Sequence, residues 1–206
     1  MKHRRFLFWA NIKVWKKIMV YIVATAFLIG IFLFVNGYRF SSFEAAKLSP
    51  QISSDSKYID ELDYNTGKLY LFENSDRYHT VVAEKNLLLW KSDCSFWINK
   101  TSDKVQLIGW CSKNNSNGSV TAVFVKCLDN SVGYIEMGKD EYRVRKNVNG
   151  QTNVIFSWNK CFPWNDLHGV AYSKDGKALY ELGYEIKDST IHIDELRWLQ
   201  SKWENK

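Results

Sequence analysis

Residues 170–184 read VAYSKDGKALYELGY. Two short runs of strand-forming residues, 170–173 and 178–184, flank the turn Lys174-Asp175-Gly176-Lys177. An Asp-Gly step between such runs is a strong hairpin signal, because the tight turn needs the left-handed backbone that Gly adopts freely. The same pattern extends upstream. Runs at 68–72, 79–83, 87–90, 95–98, 105–110, 119–127, 132–137 and 153–158 are rich in Val, Ile, Phe, Tyr and Trp and too short for typical helices. Turn chemistry separates them at Glu84-Lys85-Asn86, residues 114–118, Asp129-Asn130 and Asn149-Gly150. A single proline, Pro163, falls in the stretch and leaves the strand ladders uninterrupted. Residues 67–206 are therefore expected to form one mainly β, antiparallel domain: a sandwich, barrel or half-barrel. Asp194 could cap a short C-terminal helix with Leu196, Leu199 and Trp203 on one face.

The N-terminal part is different in kind. Residues 18–35, IMVYIVATAFLIGIFLFV, carry no charge. As a helix they would extend about 27 Å, close to the ~30 Å hydrocarbon core of a bilayer. Ahead of them stand Lys2, Arg4, Arg5, Lys13, Lys16 and Lys17, and no Asp or Glu occurs before Glu44. Removing those six from 28 Lys/Arg leaves 22, equal to the 22 Asp/Glu of the chain. The net charge of +6 is thus a topology signal rather than a nucleic-acid affinity. Excess Lys/Arg marks the end that stays in the cytoplasm, so the C-terminal domain is expected outside it. The run is longer than the ~7–15 apolar residues of a cleaved leader, which favours a retained anchor. The expected organisation is a cytoplasmic basic tail at 1–17, a transmembrane helix at 18–36, a polar stalk at 37–66 and the β domain at 67–206. Ser41-Ser42-Phe43-Glu44 has capping-box spacing, so a short helix to Leu48 is expected within the stalk. The partners implied are the lipid bilayer of the plasma (inner) membrane and a protein of the envelope.

Chemistry is sparse. The chain holds no phosphate-binding Gly-rich loop, no His-Glu-x-x-His and no Gly-x-Ser-x-Gly. It has no Cys-x-x-Cys pair and no His close in sequence to a Cys, so neither a metal site nor a cofactor is expected. All four cysteines, Cys94, Cys111, Cys127 and Cys161, lie beyond the apolar run, where disulfides persist if that side is extracytoplasmic. A hairpin of 95–98 with 105–110 would bring Cys94 to Cys111 and leave Cys127 for Cys161. Beyond the run stand His79, His168 and His192. Asp166 precedes His168 by two residues and would share its side of an extended strand, as an orienter does for a base. His192 and Asp194 repeat the offset. Seven of the nine tryptophans lie in the β domain, mostly in or beside expected strands, where they fill a core. Trp164, in the irregular stretch with Cys161 and Pro163, is the candidate to face a ligand or partner. Lys139, Arg143, Arg145 and Lys146 form a basic patch, with Arg143 and Arg145 on one strand face.

These features point to a membrane-anchored binding or interaction module, an accessory or assembly subunit of a cell-envelope complex. The alternative is an extracytoplasmic hydrolase acting on an envelope polymer through Asp166 and His168.

Overall fold

A computed structural model describes residues 2–65, 67–115, 118–148, 153–184 and 195–201. Helix α1 (Lys2–Val35) contains one span, Val14–Val35, long and apolar enough to cross a membrane. Its mean hydropathy is 2.8 and none of it is buried against the rest of the chain. The helix stops where glycine allows it. Gly37, at φ +85°, lets its own N–H reach Phe34 O at 3.2 Å and the N–H of Tyr38 reach Leu33 O at 3.1 Å. That paired closure turns the chain sharply. Arg39 then bonds Phe34 O at 2.8 Å, with its guanidinium 3.7 Å above the Phe34 ring. A cation is favourable at the negative end of a helix dipole.

The segment expected to be a stalk is part of the domain. Helix α2 (Ser42–Lys47) buries Ala45 and Ala46 completely, and β1 (Lys57–Tyr64) pairs with β2 (Gly67–Glu73). The acidic residues of KYIDELDY conceal the strand in the sequence. Ile59 and Leu62 pack inward while Glu61 and Asp63 face outward to meet Lys68 at 3.4 and 2.8 Å. The short helix begins at the expected place, yet Ser41 makes no side-chain cap bond.

Among the described residues, twelve strands form three antiparallel sheets. The first, A, is the meander β1-β2-β3-β4, with β3 at Arg77–Asn86 and β4 at Leu89–Asn99. The second, B, orders β5 (Val105–Asn115), β6 (Gly118–Cys127) and β9 (Asn153–Trp158). The third, C, contains β7 (Val132–Met137), β8 (Val144–Asn147), β10 (Val170–Ser173), β11 (Ala178–Gly183) and β12 (Arg197–Gln200), in the order β12-β11-β10-β7-β8. The hairpin at 170–184 forms as expected, with Ala171 opposite Tyr180.

Side-chain alternation stacks these sheets. Along β6, Val120, Ala122 and Phe124 point into a core shared with Leu69, Leu71, Tyr78 and Val82 of sheet A. Their neighbours Val123, Val125 and Cys127 point the other way, into a core with Ile135, Met137 and Ala171 of sheet C. A strand buried on both faces reads as a continuous apolar run, as β6 does. Sheet B is therefore the middle layer. The far side of sheet A is closed by α2, with Phe43, Ile52 and Trp90 packed over Tyr70, Phe72, Val81 and Ala83. Gly109 on β5 marks the close approach of sheets A and B: a Cβ there would stand 2.6 Å from Thr80 Oγ1 and 3.0 Å from Leu71 Cδ1.

The C-terminal helix is not formed over Arg197–Gln200, which is the edge strand β12. Leu196 and Trp198 are buried, a two-residue alternation that the helical reading of Leu196 and Leu199 overlooked. Asp194 and Trp203 lie outside the described residues.

One buried group gives this core a pH dependence. His79 on β3 is 4% exposed; its Nε2 lies 3.2 Å from Asn74 Nδ2, and its Nδ1 has no partner. Burial, aided by the Arg77 charge, holds its pKa below the ordinary 6.5. The unfolded chain therefore takes up this proton first, and stability falls as pH drops below about 6.5 until the folded value is passed, by up to about 1.4 kcal/mol per pH unit. Unfolding of the full chain in mild detergent at a series of pH values should show that slope, and His79→Leu should remove it. A slope unchanged in the variant would assign the effect to other groups.

Candidate functional site

The stretch around His168 is built by a proline and a short turn. Pro163, at φ −67°, precedes a 3-10 turn over Trp164–Asp166, and His168 follows at φ +38°. Asp166 and His168 are thus not on an extended strand, and the alignment expected from their two-residue spacing does not arise. The Asp166 carboxylate meets Lys139 Nζ at 3.3 Å. The backbone carbonyl of His168 accepts from Arg143 Nη1 at 3.3 Å, while its ring is in an exposed residue. Among the described residues, no hydrogen bond or ion pair joins Asp166 to the His168 ring. Trp164 is half-buried, edge-on to Tyr184 at 4.8 Å, and packs against the core between sheets B and C. His192 lies outside the described residues.

Arg143 and Arg145 do share a face, and both turn to one carboxylate. Glu136 on β7 accepts from Arg145 Nε at 2.8 Å and from Arg143 Nε at 3.2 Å. Partial burial of Glu136 opposes its ionisation, but the two guanidinium bonds outweigh it and hold the carboxyl below its ordinary range. The Arg145 guanidinium also lies 3.9 Å from the centroid of Tyr134, which stacks on its cross-strand partner Tyr172 at 4.9 Å and 19°. Tyr172, Tyr134 and Arg145 form a half-exposed ladder across β10, β7 and β8, beside Glu136. The two arginines alternate in the sequence, but only the register brings Tyr134 and Tyr172 into a row beside them.

All four cysteines are free thiols. Cys94 and Cys111 are neighbours, joined by a thiol–thiol hydrogen bond. The route differs from the expected hairpin, since β4 and β5 belong to different sheets and meet across the A–B interface. That bond and burial push the Cys111 thiol well above its ordinary range, against the pull of Lys113. Cys127 with Cys161 does not pair. Thr121 Oγ1 accepts from Phe162 N–H at 2.8 Å and donates to Lys160 O at 2.7 Å, which pins Cys161 beside Thr121. Cys161 Sγ lies 3.1 Å from Ser112 Oγ, opposite Thr121 in the ladder. Cys127 is six residues further along β6, about 20 Å away, far beyond the reach of about 7 Å for a bridge.

A feature that sequence reasoning missed lies where α1 meets the domain. Glu84-Lys85-Asn86, expected as a turn, continues β3; the loop is Leu87-Leu88, between the paired Asn86 and Leu89. Arg39 pairs with Trp90 through N–O bonds of 2.8 and 2.7 Å. A cleft of ≈ 540 Å³ opens there, lined by Tyr38, Glu84, Lys85, Asn86, Leu87, Lys91 and Ser92. At its wall Glu84 accepts from Tyr64 Oη at 3.1 Å and pairs with Lys113 at 2.7 Å. Burial, and then the Glu84 charge, push the Tyr64 hydroxyl well above its usual range, so it stays a donor. Among the described residues no group of three or more His, Cys, Asp or Glu is placed to hold a metal ion.

No protein-family model matches this chain, and neither the curated proteins nor the solved structures include a match to it.

Proposed function

We propose that this protein is a single-pass membrane protein of the plasma (inner) membrane, N-terminus in the cytoplasm, presenting its β domain outside as a binding module of a cell-envelope complex. The six basic residues ahead of the apolar helix support the orientation. The observation that carries the binding role is the Tyr172–Tyr134–Arg145 ladder on the outer face of sheet C, with Arg143 and Glu136 beside it. Tyr and Arg are enriched at the energetic centres of protein interfaces, and here both are held in place before any partner arrives. The hydrolase alternative has less behind it, because Asp166 is engaged with Lys139. In an oxidising compartment the adjacent Cys94 and Cys111 would close a bridge.

Co-purification in mild detergent tests this reading. Tyr134→Ser with Arg145→Glu should weaken capture of a stoichiometric protein partner by about 2 kcal/mol or more, roughly 30-fold, with the fold retained. Asp166→Ala and His168→Ala should leave both capture and cellular function intact. A folded, membrane-inserted His168→Ala protein without function would favour the hydrolase.

A further inference from the structure

We propose that the β3–β4 hairpin tip is a second membrane contact: Leu87 and Leu88, with Phe40, enter the acyl–headgroup boundary of the leaflet from which α1 emerges. The inference rests on α1 spanning the bilayer.

Exposure is the first ground. Leu87 is 90% exposed, Phe40 85% and Leu88 83%, higher than any other large apolar side chain described outside α1. Neighbouring apolar groups this exposed are the mark of a protein or membrane contact.

Backbone conformation is the second. Leu87 sits at φ +56° at the first position of a two-residue loop, where glycine, asparagine or aspartate is the unstrained choice. A bulky residue there is disfavoured by its own Cβ. The chain therefore holds a leucine where a turn residue would fold more easily, and projects it into empty space.

Position is the third. Leu88 stands two residues from Trp90, about 7 Å of strand. Trp90 is bonded to Arg39, and Arg39 to the last turn of α1. The antiparallel bridge carries the chain from Tyr38 to Phe40 toward the tip, and Tyr38 and Leu87 wall the same cleft. These bonds keep the tip within a few residues of the point where α1 ends.

Charge and aromatic placement are the fourth. Lys91 Nζ lies 5.1 Å from the Tyr38 ring and Lys85 Nζ 5.9 Å from the Trp90 ring, with Arg39 alongside. Apolar tips below a rim of cations and amphipathic rings match the layering of a lipid surface, acyl chains beneath phosphates. Contact at the tip as well as at α1 would fix the tilt of the domain, since one attachment becomes two.

Photo-cross-linking of the full chain in phospholipid vesicles tests the proposal. A benzophenone amino acid is placed singly at Leu87, Leu88, Val23 in α1, or Lys174 in the exposed β10–β11 turn, and adducts are read by mass. Lipid adducts at 87, 88 and 23, and none at 174, are expected. Lipid at 23 but none at 87 or 88 would overturn the second contact while leaving the anchor in place. Cross-links from 87 or 88 to another copy of the chain, or equal lipid yield at 174, would overturn it as well. Failure at 23 would contradict the spanning helix and remove the basis of the inference with it.

Discussion

Phe124→Ala is expected to cost about 3–5 kcal/mol of stability, the range for deleting a buried aromatic ring. A domain of this size has about 5–15 kcal/mol in total, so the loss is about a fifth of that total at the least and nearly all of it at the most. Phe124 is fully buried on the middle strand β6, where its ring joins Leu71 and Ile108 between sheets A and B. The loss there cannot be relieved by solvent, because sheet C covers the other side of β6. Overfilling the same interface should also be damaging. Gly109→Val adds carbons where the first would stand 3.0 Å from Phe124 Cδ2 and 2.6 Å from Thr80 Oγ1, an overpacking cost of about 1–3 kcal/mol. Denaturant unfolding of the full chain in mild detergent measures both. A Phe124→Ala loss below about 1 kcal/mol, the scale of an ordinary surface change, would mean that β6 is not the middle layer.

The second large effect concerns the thiols. Protein alkylated in intact cells and mapped without reductant should contain the Cys94–Cys111 link, with Cys127 and Cys161 free. Closing that ~16-residue loop contributes about 3 kcal/mol in the chain-entropy account. Cys94→Ser should therefore lower the melting temperature of protein from untreated cells, and reductant should lower the wild type to a similar value. The two thiols are already neighbours in the folded chain, so the bridge would join groups that are in contact. Cys94 and Cys111 both found alkylated would refute the bridge and weigh against an oxidising compartment.

How far the fold could be read depended on where each residue's partners lie. The hairpin at 170–184 was legible because its turn is chemically explicit and its partners are adjacent in sequence. The apolar helix was legible from length alone. Strand β1 was not, because Asp60, Glu61 and Asp63 outweigh its inward-facing Ile59 and Leu62 in any local reading. Strand β12 was missed because Leu196 and Leu199 match a helical spacing, while the burial of Trp198 depends on β11 beside it. Pairing Cys127 with Cys161 by elimination failed because register, not count, decides reach. The Tyr134–Tyr172 stack comes from strands far apart in sequence, and no local pattern announces it. Leu87-Leu88 escaped notice for the opposite reason: leucines at a turn look like a strand, and only the positive φ at Leu87 exposes the loop.

The central claim is that α1 spans a bilayer and holds the β domain outside the cytoplasm, and reporter fusions after Lys206 test it most directly. A reporter that folds only outside the cytoplasm should be active there, and one that works only inside should be silent. Changing Lys13, Lys16 and Lys17 to Glu should weaken or invert that pattern, because short-loop Lys and Arg carry the orientation signal. An active cytoplasmic reporter and a silent external one in the unaltered chain would contradict the account.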